Sequence, residues 1–436
     1  MNQSLIVFVA LILFVTIACA VISGKILVPV VFGTFPIIAA LILGYSVDEI
    51  STFIMNGLNS TYKTVALFIF SVAYFSTLSD VGIFDVLISK IIKKMGNRIH
   101  IVFLMTIFVA FISHMDGVGA TTALITVPMM IPFYDKMKIP RTYLLLWLTL
   151  ASGIAQAFPW TPCGLRLATS IGIEPIALWK QMIPMQICAI ITTIILCLIL
   201  AKHEEKKGIT ISDAEFQQLL DNTVEEAKLS VSRGVAIFDV VFTVILLAVL
   251  LTGALGTNVA FILATVIILP VNYKSVKEQM SKIKEFGKSS IYCAMLMFSL
   301  SVMVGINAGA GLTTALGTAL MSVAPIGIAK AMLLIIALIS FPLGTFLGLD
   351  SVLLIIPPLL ISMTEGIGYI PMQVALVCAI GGSLSGGCSL TSSGAYLALG
   401  LADVSMGDHL KRTFKWGWLV SLVMVAVGVI AGTIPF

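Results

Sequence analysis

Ala120-Thr121-Thr122-Ala123-Leu124-Ile125-Thr126-Val127-Pro128 is answered, 229 positions further on, by Leu349-Asp350-Ser351-Val352-Leu353-Leu354-Ile355-Ile356-Pro357. Working outward, Gly82-Ile83 matches Gly311-Leu312 and Gly153 matches Gly382. Thr161-x-x-Gly164 matches Thr391-x-x-Gly394 with one residue of slip. The chain says nearly the same thing twice. In a very apolar chain, a twofold repeat predicts a secondary transporter.

The composition is that of a membrane protein. Of 436 residues, 59% are hydrophobic and 11% charged, and the mean hydropathy is +1.11. A soluble domain carries about 25% charged residues. Apolar runs long enough to cross lipid recur at 5–22, 185–200, 236–251 and 418–434; a span needs about 20 such residues. The fold class expected is therefore an all-α, polytopic membrane protein. The first run has no basic residues before it and no clear cleavage signal after it, so it reads as a mature helix. The net charge of +4 comes from loop lysines and implies no nucleic-acid partner. Seven cysteines lie in or beside apolar runs without metal-ligand spacing, which predicts small buried side chains.

Charge then orients the halves. Basic residues cluster at Lys90/Lys93/Lys94/Arg98, Lys136/Lys138/Arg141, Lys202/Lys206/Lys207, Lys274 to Lys288, and Lys411/Arg412/Lys415. Such clusters belong to cytoplasmic loops. Compared across the repeat, basic 83–95 pairs with uncharged 312–323. Basic 135–141 pairs with 365–370, which has no Lys or Arg, and lysine-rich 276–288 pairs with 47–58, which carries only acids. One basic member per pair is the mark of halves with opposite orientation, an inverted-topology repeat. The expected organisation is a first repeat over 1–201, a cytoplasmic connecting loop over 202–232 and a second repeat over 233–436, multi-pass in the cell membrane, with an extracytoplasmic N-terminus. Each half reads as two spans, a short amphipathic helix, a third span, a short interfacial arm, a hairpin (99–133 and 330–363), a broken helix and a closing span. Segment 213–229 has amphipathic character but reads most simply as connecting loop.

Four polar, glycine-rich stretches interrupt the apolar sequence. Two are hairpin tips, His114-Met115-Asp116-Gly117-Val118-Gly119-Ala120-Thr121-Thr122 and Gly344-Thr345-Phe346-Leu347-Gly348-Leu349-Asp350-Ser351. Two are helix breaks, Pro159-Trp160-Thr161-Pro162-Cys163-Gly164-Leu165-Arg166 and Gly386-Gly387-Cys388-Ser389-Leu390-Thr391-Ser392-Ser393-Gly394. Non-helical backbone at membrane depth survives only where it is buried in protein or lines a wet cavity. Broken helices offer N–H groups and positive dipole ends to anions, and carbonyls to cations. The four breaks should meet at one site; the alternative is that Gly and Pro only permit close packing.

Arg166 stands at depth, far from any basic loop. A guanidinium there binds a carboxylate bidentately or forms an internal salt bridge, for example to Asp116. Asp116 and Asp350, at the two tips, carry a proton, ligate a cation, or cap the helix that follows. His114 titrates near neutrality or serves as polar packing. Thr121, Thr122, Thr161, Ser351, Ser389, Thr391 and Ser392, with the Gly164 backbone, supply uncharged partners for substrate oxygens, or bond their own helix backbone. No catalytic constellation is present, so the reading is not an enzyme.

At these residues the chain resembles the citrate–metal–proton symporter family (CitMHS) of the ion-transporter superfamily. The resemblance is densest at His114-x-Asp116-Gly117-x-Gly119-Ala120-Thr121-Thr122 and at Pro159-Trp160 with Arg166. It continues through Ser389-x-Thr391, Ala395-Tyr396-Leu397, Gly400-Leu401-Ala402 and Gly407-Asp408-His409. The family's hairpin commonly has a second acid where Val118 stands, a Gly-Gly-Pro-Thr run where Thr161-Pro162-Cys163-Gly164 stands, and an asparagine near Gln156. The resemblance implies an elevator-type ion-transporter fold, in which hairpins and broken helices move against a scaffold, and a homodimer. Together the two readings predict a lipid-embedded carrier that couples H+ or Na+ to symport of a small di- or tricarboxylate such as citrate. It would have no bound cofactor, the substrate travelling either free or as a complex with a divalent cation (Mg2+ or Ca2+). The competing reading is a cation/proton antiporter without organic substrate.

Overall fold

The longest helices carry the repeat most plainly. In a computed structural model describing residues 3–23, 25–93, 96–206, 211–223, 229–323, 326–364 and 368–434, α3 (Val47–Asp80) and α13 (Val276–Gly309) are each 34 residues long and begin 229 residues apart. Each starts behind a serine, Ser46 or Ser275, that accepts from the backbone N–H of Glu49 or Glu278. The same spacing relates α1 (Gln3–Ser23) to α11 (Arg233–Thr252) and α2 (Val28–Ile42) to α12 (Thr257–Asn272). It also relates α4 (Ile83–Ile92) to α14 (Leu312–Val323). Downstream, α5 (Ile99–Ser113) and α6 (Gly119–Lys136) correspond to α15 (Ile326–Leu347) and a wide π turn (Ser351–Ile355) continuing into α16 (Ile356–Thr364). Helices α7 (Arg141–Ala155), α8 (Pro162–Ile171) and α9 (Pro175–Glu205) correspond to α17 (Pro371–Ser385), α18 (Ser393–Ala402) and α19 (Met406–Ile430). Seven helices are long and apolar enough to cross a membrane, and no strand occurs among the described residues.

α3 and α13 lie side by side and antiparallel. A Cβ at Gly57 would overlap the Ser301 carbonyl, and one at Gly305 would overlap the Phe53 carbonyl. The Thr61 and Ser301 hydroxyls hydrogen-bond across the seam, and Lys282 Nζ meets Asp80 Oδ1 at 2.6 Å further along. Small residues let the backbones approach, which is how membrane helices associate when burial from water offers no drive.

Several expectations change. The short amphipathic helix expected between the second and third spans of each half is not separate: α3 and α13 run unbroken, because no proline interrupts either and Gly57 is held helical against α13. The hairpins cover 99–136 and 326–364, slightly longer than expected. An arm of 15 residues such as α5 rises about 22 Å, so one starting at the bilayer surface ends inside the roughly 30 Å hydrocarbon core. The segment 202–232 is not simply a loop. α9 extends to Glu205, and α10 (Asp213–Thr223) docks on the first hairpin. Ser212 and Glu215 form a reciprocal cap at its start. Phe216 packs on Phe133 with centroids 5.6 Å apart, and Asn97 Nδ2 donates to Asp213 Oδ1 at 2.6 Å. Lys94, Met95, Lys207 and positions 365–367 lie outside the described residues. The cysteines are not uniformly buried: Cys163, Cys197, Cys378 and Cys388 are, but Cys19 is exposed and Cys188 and Cys293 are half-buried.

Candidate functional site

Both tips and both breaks converge. The first tip meets the first break at Gly117 (φ +74°), where a Cβ would stand 3.2 Å from Thr161 Cα. It meets the second break where Gly119 and Gly394 pass: a Cβ on Gly394 would lie 3.4 Å from Gly119 Cα. The second tip meets the second break where Leu390 N–H donates to the Thr345 carbonyl at 2.9 Å, and Gly348 (φ +93°) leaves no room for a Cβ beside Thr391. The first break meets the second tip through an ion pair, Arg166 Nη1 to Asp350 Oδ1 at 2.9 Å. The structure therefore pairs Arg166 with Asp350 rather than with Asp116.

Each break is built differently. In the first, Trp160 stacks on Phe158 (4.8 Å, 4° between planes) and on Phe75 (5.2 Å, 27°), and its Nε1–H donates to the Met115 carbonyl at 3.1 Å. Thr161 Oγ1 donates to the Gln156 and Phe158 carbonyls at 2.6 and 2.8 Å, satisfying acceptors that the end of α7 leaves open. In the second, Gly386–Cys388 forms a tight 3₁₀ turn. Ser392 Oγ accepts from Ala395 N–H at 3.3 Å and caps α18. His409 Nε2 lies 3.1 Å from the Gly387 carbonyl, and its Nδ1 lies 3.1 Å from Thr413 Oγ1.

The convergence surrounds a partly open cavity of about 440 Å³. Arg166, Asp350, His114, Thr122, Thr391 and Ser392, all expected from sequence, line it. So do the N-termini of α6 (Gly119, Ala120), α8 (Pro162, Cys163) and α18 (Ser393, Gly394). Each such helix end carries about half a positive charge. The C-terminal ends of α5 (His114), α7 (Gln156) and α17 (Gly386) line it as well. Arg166 and Asp350 offset one another formally, so helix ends of both signs face the space: N–H groups for an anion and carbonyls for a cation.

Other expected residues support the wall rather than line it. Asp116 is buried, and its Oδ1 accepts from Val118 N–H at 2.8 Å; Thr121 lies beside it. Neither aspartate caps the helix that follows, since the residues before α6 and the π turn make no side-chain cap. Ser351 Oγ donates to its own helix at the Leu347 carbonyl, 2.8 Å away. Ser389 and Thr391 hydroxyls pair at 3.2 Å. Thr161 serves the break as described, and Gly164 packs against the Phe158 carbonyl, where a Cβ would lie 3.1 Å away. His114 Nδ1 pairs with Thr122 Oγ1 at 2.7 Å.

Sequence reasoning missed α13. Tyr292 and Cys293 line the cavity, and Arg166 Nη2 donates to Cys293 Sγ at 2.9 Å. Neither residue interrupts a helix, so the search for broken helices had no signal for them. Gln156 and Ser152 also line it from α7 and its end. Among the described residues no group of three or more His, Cys, Asp or Glu side chains converges as a metal site.

Hairpins and broken helices meeting around one polar cavity in an apolar helical protein define a membrane transporter, not an enzyme. The comparisons agree. The chain belongs to the citrate transporter family (CitMHS), whose profile matches residues 3–284. Residues 185–433 also match the DctM component of tripartite ATP-independent periplasmic transporters. A Bacillus subtilis citrate transporter is 28% identical over 98% of this chain and 99% of its own length. The Mg(2+)/citrate complex secondary transporter of the same organism is 26% identical over 99% and 97%. Two solved structures share the fold. The Neisseria gonorrhoeae antimetabolite efflux pump MtrF has TM-score 0.59 and 13% identity, over 89% of this chain and 83% of its own. The Alcanivorax borkumensis YdaH transporter has TM-score 0.56 and 12% identity, over 87% and 88%.

Proposed function

We propose that this protein is a cation-coupled symporter of a small di- or tricarboxylate, with citrate the leading candidate. The observation that carries the reading is the central cavity, where three helix N-termini and the Arg166 guanidinium face one partly open space. Its volume of about 440 Å³ falls in the range of small-molecule pockets. The names of the two Bacillus relatives support citrate, alone or as its Mg2+ complex. In the second case the metal is cargo held by the substrate's own carboxylates, because the lining offers one carboxylate, Asp350, already engaged by Arg166.

In this reading Arg166 and the helix ends orient the carboxylates, while Thr122, Thr391 and Ser392 bond the remaining oxygens. Asp116, Asp350 and His114 are the ionisable groups placed to take the coupling H+ or Na+. Bare charge is costly in lipid, so co-binding of anion and cation lowers the barrier for the loaded carrier to cross. The two halves act as inverted repeats, 1–201 and 233–436, on either side of the connecting segment 202–232. The antiparallel seam between the repeat mates α3 and α13 supports this, since an axis relating them lies across the helices rather than along them.

The test is thermal stabilisation of the purified carrier by a panel of carboxylates, each with and without Mg2+, Ca2+ or Na+. A ligand that binds only the folded state raises the apparent melting temperature by mass action. A shift with citrate is expected, and its metal dependence identifies the transported form. A response to pH or Na+ alone, with none to any carboxylate, overturns the reading in favour of a cation/proton antiporter.

A further inference from the structure

A second polar hollow, of about 200 Å³, lies between α3, the end of α8 and the starts of α9 and α12, one residue along α3 from the central cavity: Leu67 lines the hollow and Phe68 the cavity. Lys63 and Thr64 reach it from α3. Lys63 is exposed and has no ion-pair partner among the described residues. Thr64 is 8% exposed, and its hydroxyl has no hydrogen-bond partner among the described residues. Neither α9 nor α12 has a side-chain cap. At α9, Pro175 has no N–H and the Ala177 and Leu178 N–H groups bond the Glu174 carbonyl, so the open N–H groups are chiefly those at the start of α12. The hollow also contains Glu174, whose Oε1 lies 3.5 Å from Thr257 Oγ1. One ammonium and two helix N-terminal ends, set against that carboxylate and the C-terminal end of α8 at Gly172, leave the hollow positive by about half a charge.

The placement has a direction. α9 runs 31 residues from this hollow to an end that carries Lys202, about 46 Å away, and α12 ends just before Lys274. The hollow therefore sits on the face opposite the lysine-bearing ends. It also has a repeat mate. Lys63 and Thr64 stand 229 residues before Tyr292 and Cys293, which line the central cavity. The same face of the paired long helices meets a cavity in each half, with an aromatic ring and a thiol in one, and an ammonium and a hydroxyl in the other.

We propose that Lys63, Thr64 and the uncapped start of α12 form an outer vestibule whose field concentrates the carboxylate before it reaches the central cavity, without a saturable site of its own. The proposal rests on the carboxylate-carrier reading above. A vestibule of this kind acts on the rate of encounter and leaves equilibrium binding at the centre unchanged.

The experiment measures initial citrate uptake by the full-length carrier in right-side-out vesicles at low and high ionic strength, alongside citrate stabilisation of the purified protein. Lys63→Gln should raise KM on the order of tenfold at low salt. The effect should shrink toward about twofold near 1 M salt, where screening acts within about 3 Å. Vmax and citrate stabilisation should match wild type, and Lys63→Arg should restore KM. A Lys63→Gln carrier with wild-type KM at low salt overturns the vestibule. So does one that loses citrate stabilisation, which would place Lys63 in the central site. A wild-type protein that neither takes up nor is stabilised by any carboxylate sinks the carrier reading itself, a result distinct from both.

Discussion

The two helix breaks occupy equivalent positions and share almost no chemistry. Offset by 230 residues, Gln156 corresponds to Gly386, Ala157 to Gly387, Trp160 to Leu390 and Arg166 to Tyr396. The first break is rigid and charged: an aromatic stack, a threonine turned onto two carbonyls, and a guanidinium. The second is small and hydroxyl-rich, a 3₁₀ turn braced from outside by His409. The repeat has kept the geometry of interruption while dividing the labour, with charge on one side and close fit on the other. Substitutions at matched positions should therefore fail in different ways.

The sharpest test of that division is Arg166→Ala. Uptake and carboxylate stabilisation should both be lost, by more than about 100-fold for a buried charge-assisted contact. Asp350 loses its partner in the same variant. Breaking a buried pair costs roughly 3–5 kcal/mol, and the 29% exposure of Asp350 places this case toward the lower end. Arg166→Ala/Asp350→Asn should then recover thermal stability without recovering uptake. Tyr396, the mate of Arg166, is 50% exposed, and Tyr396→Phe should leave carboxylate stabilisation near wild type. If Tyr396→Phe removes ligand binding as Arg166→Ala does, the division between the breaks is broken.

Next in size is Gly387→Ala. An added Cβ would lie 2.7 Å from Thr149 Oγ1 and 2.9 Å from Thr149 Cα, so the 3₁₀ turn must shift. We expect about 1–3 kcal/mol of destabilisation, read by thermal unfolding, and a matching fall in uptake. The mate already carries a methyl group, and Ala157→Gly should cost no more than about 1 kcal/mol. Trp160→Phe keeps a ring in the stack but deletes the bond to the Met115 carbonyl, for about 1 kcal/mol.

The smallest effect belongs to Asp135, outside both breaks, which takes a bidentate contact from Arg141 at 2.7 and 2.8 Å. Arg141 in turn donates to the Ala402 carbonyl at the end of α18. The Arg141 guanidinium holds the Asp135 carboxyl below its ordinary value. Its contribution is thus present above the unfolded carboxylate range and fades as pH falls through the lower, folded one. The carboxylate is 47% exposed, so Asp135→Asn should cost less than about 1 kcal/mol, and the difference from wild type should vanish in acid.

Much of this was legible in the chain. Glycine, proline and polar residues inside apolar runs located both tips and both breaks, because unpaired backbone at depth has few tolerable places. The repeat supplied the expectation that the four meet. Asp350 as the partner of Arg166 was not legible, since pairing across 184 residues depends on how the tips are angled. Tyr292 and Cys293 were invisible for the opposite reason: they sit on an unbroken helix, and only its position beside α8 brings them to the cavity. The separate amphipathic helix expected before the third span of each half is instead the first part of α3 or α13, because helix continuity is decided by backbone hydrogen bonds, which a polar residue does not interrupt.

The 34 residues of α3 and α13 amount to about 51 Å of helix each, well beyond the roughly 30 Å of hydrocarbon. Acids (Asp48, Glu49) occupy the first turn of one and Lys277 and Glu278 that of the other, so each overhanging end is held in water. A bilayer made a few ångströms thinner or thicker changes the length of overhang, not whether the pair can span. Transport that relies on this pair as its fixed reference should tolerate lipids of different chain length better than one anchored by helices cut to the membrane.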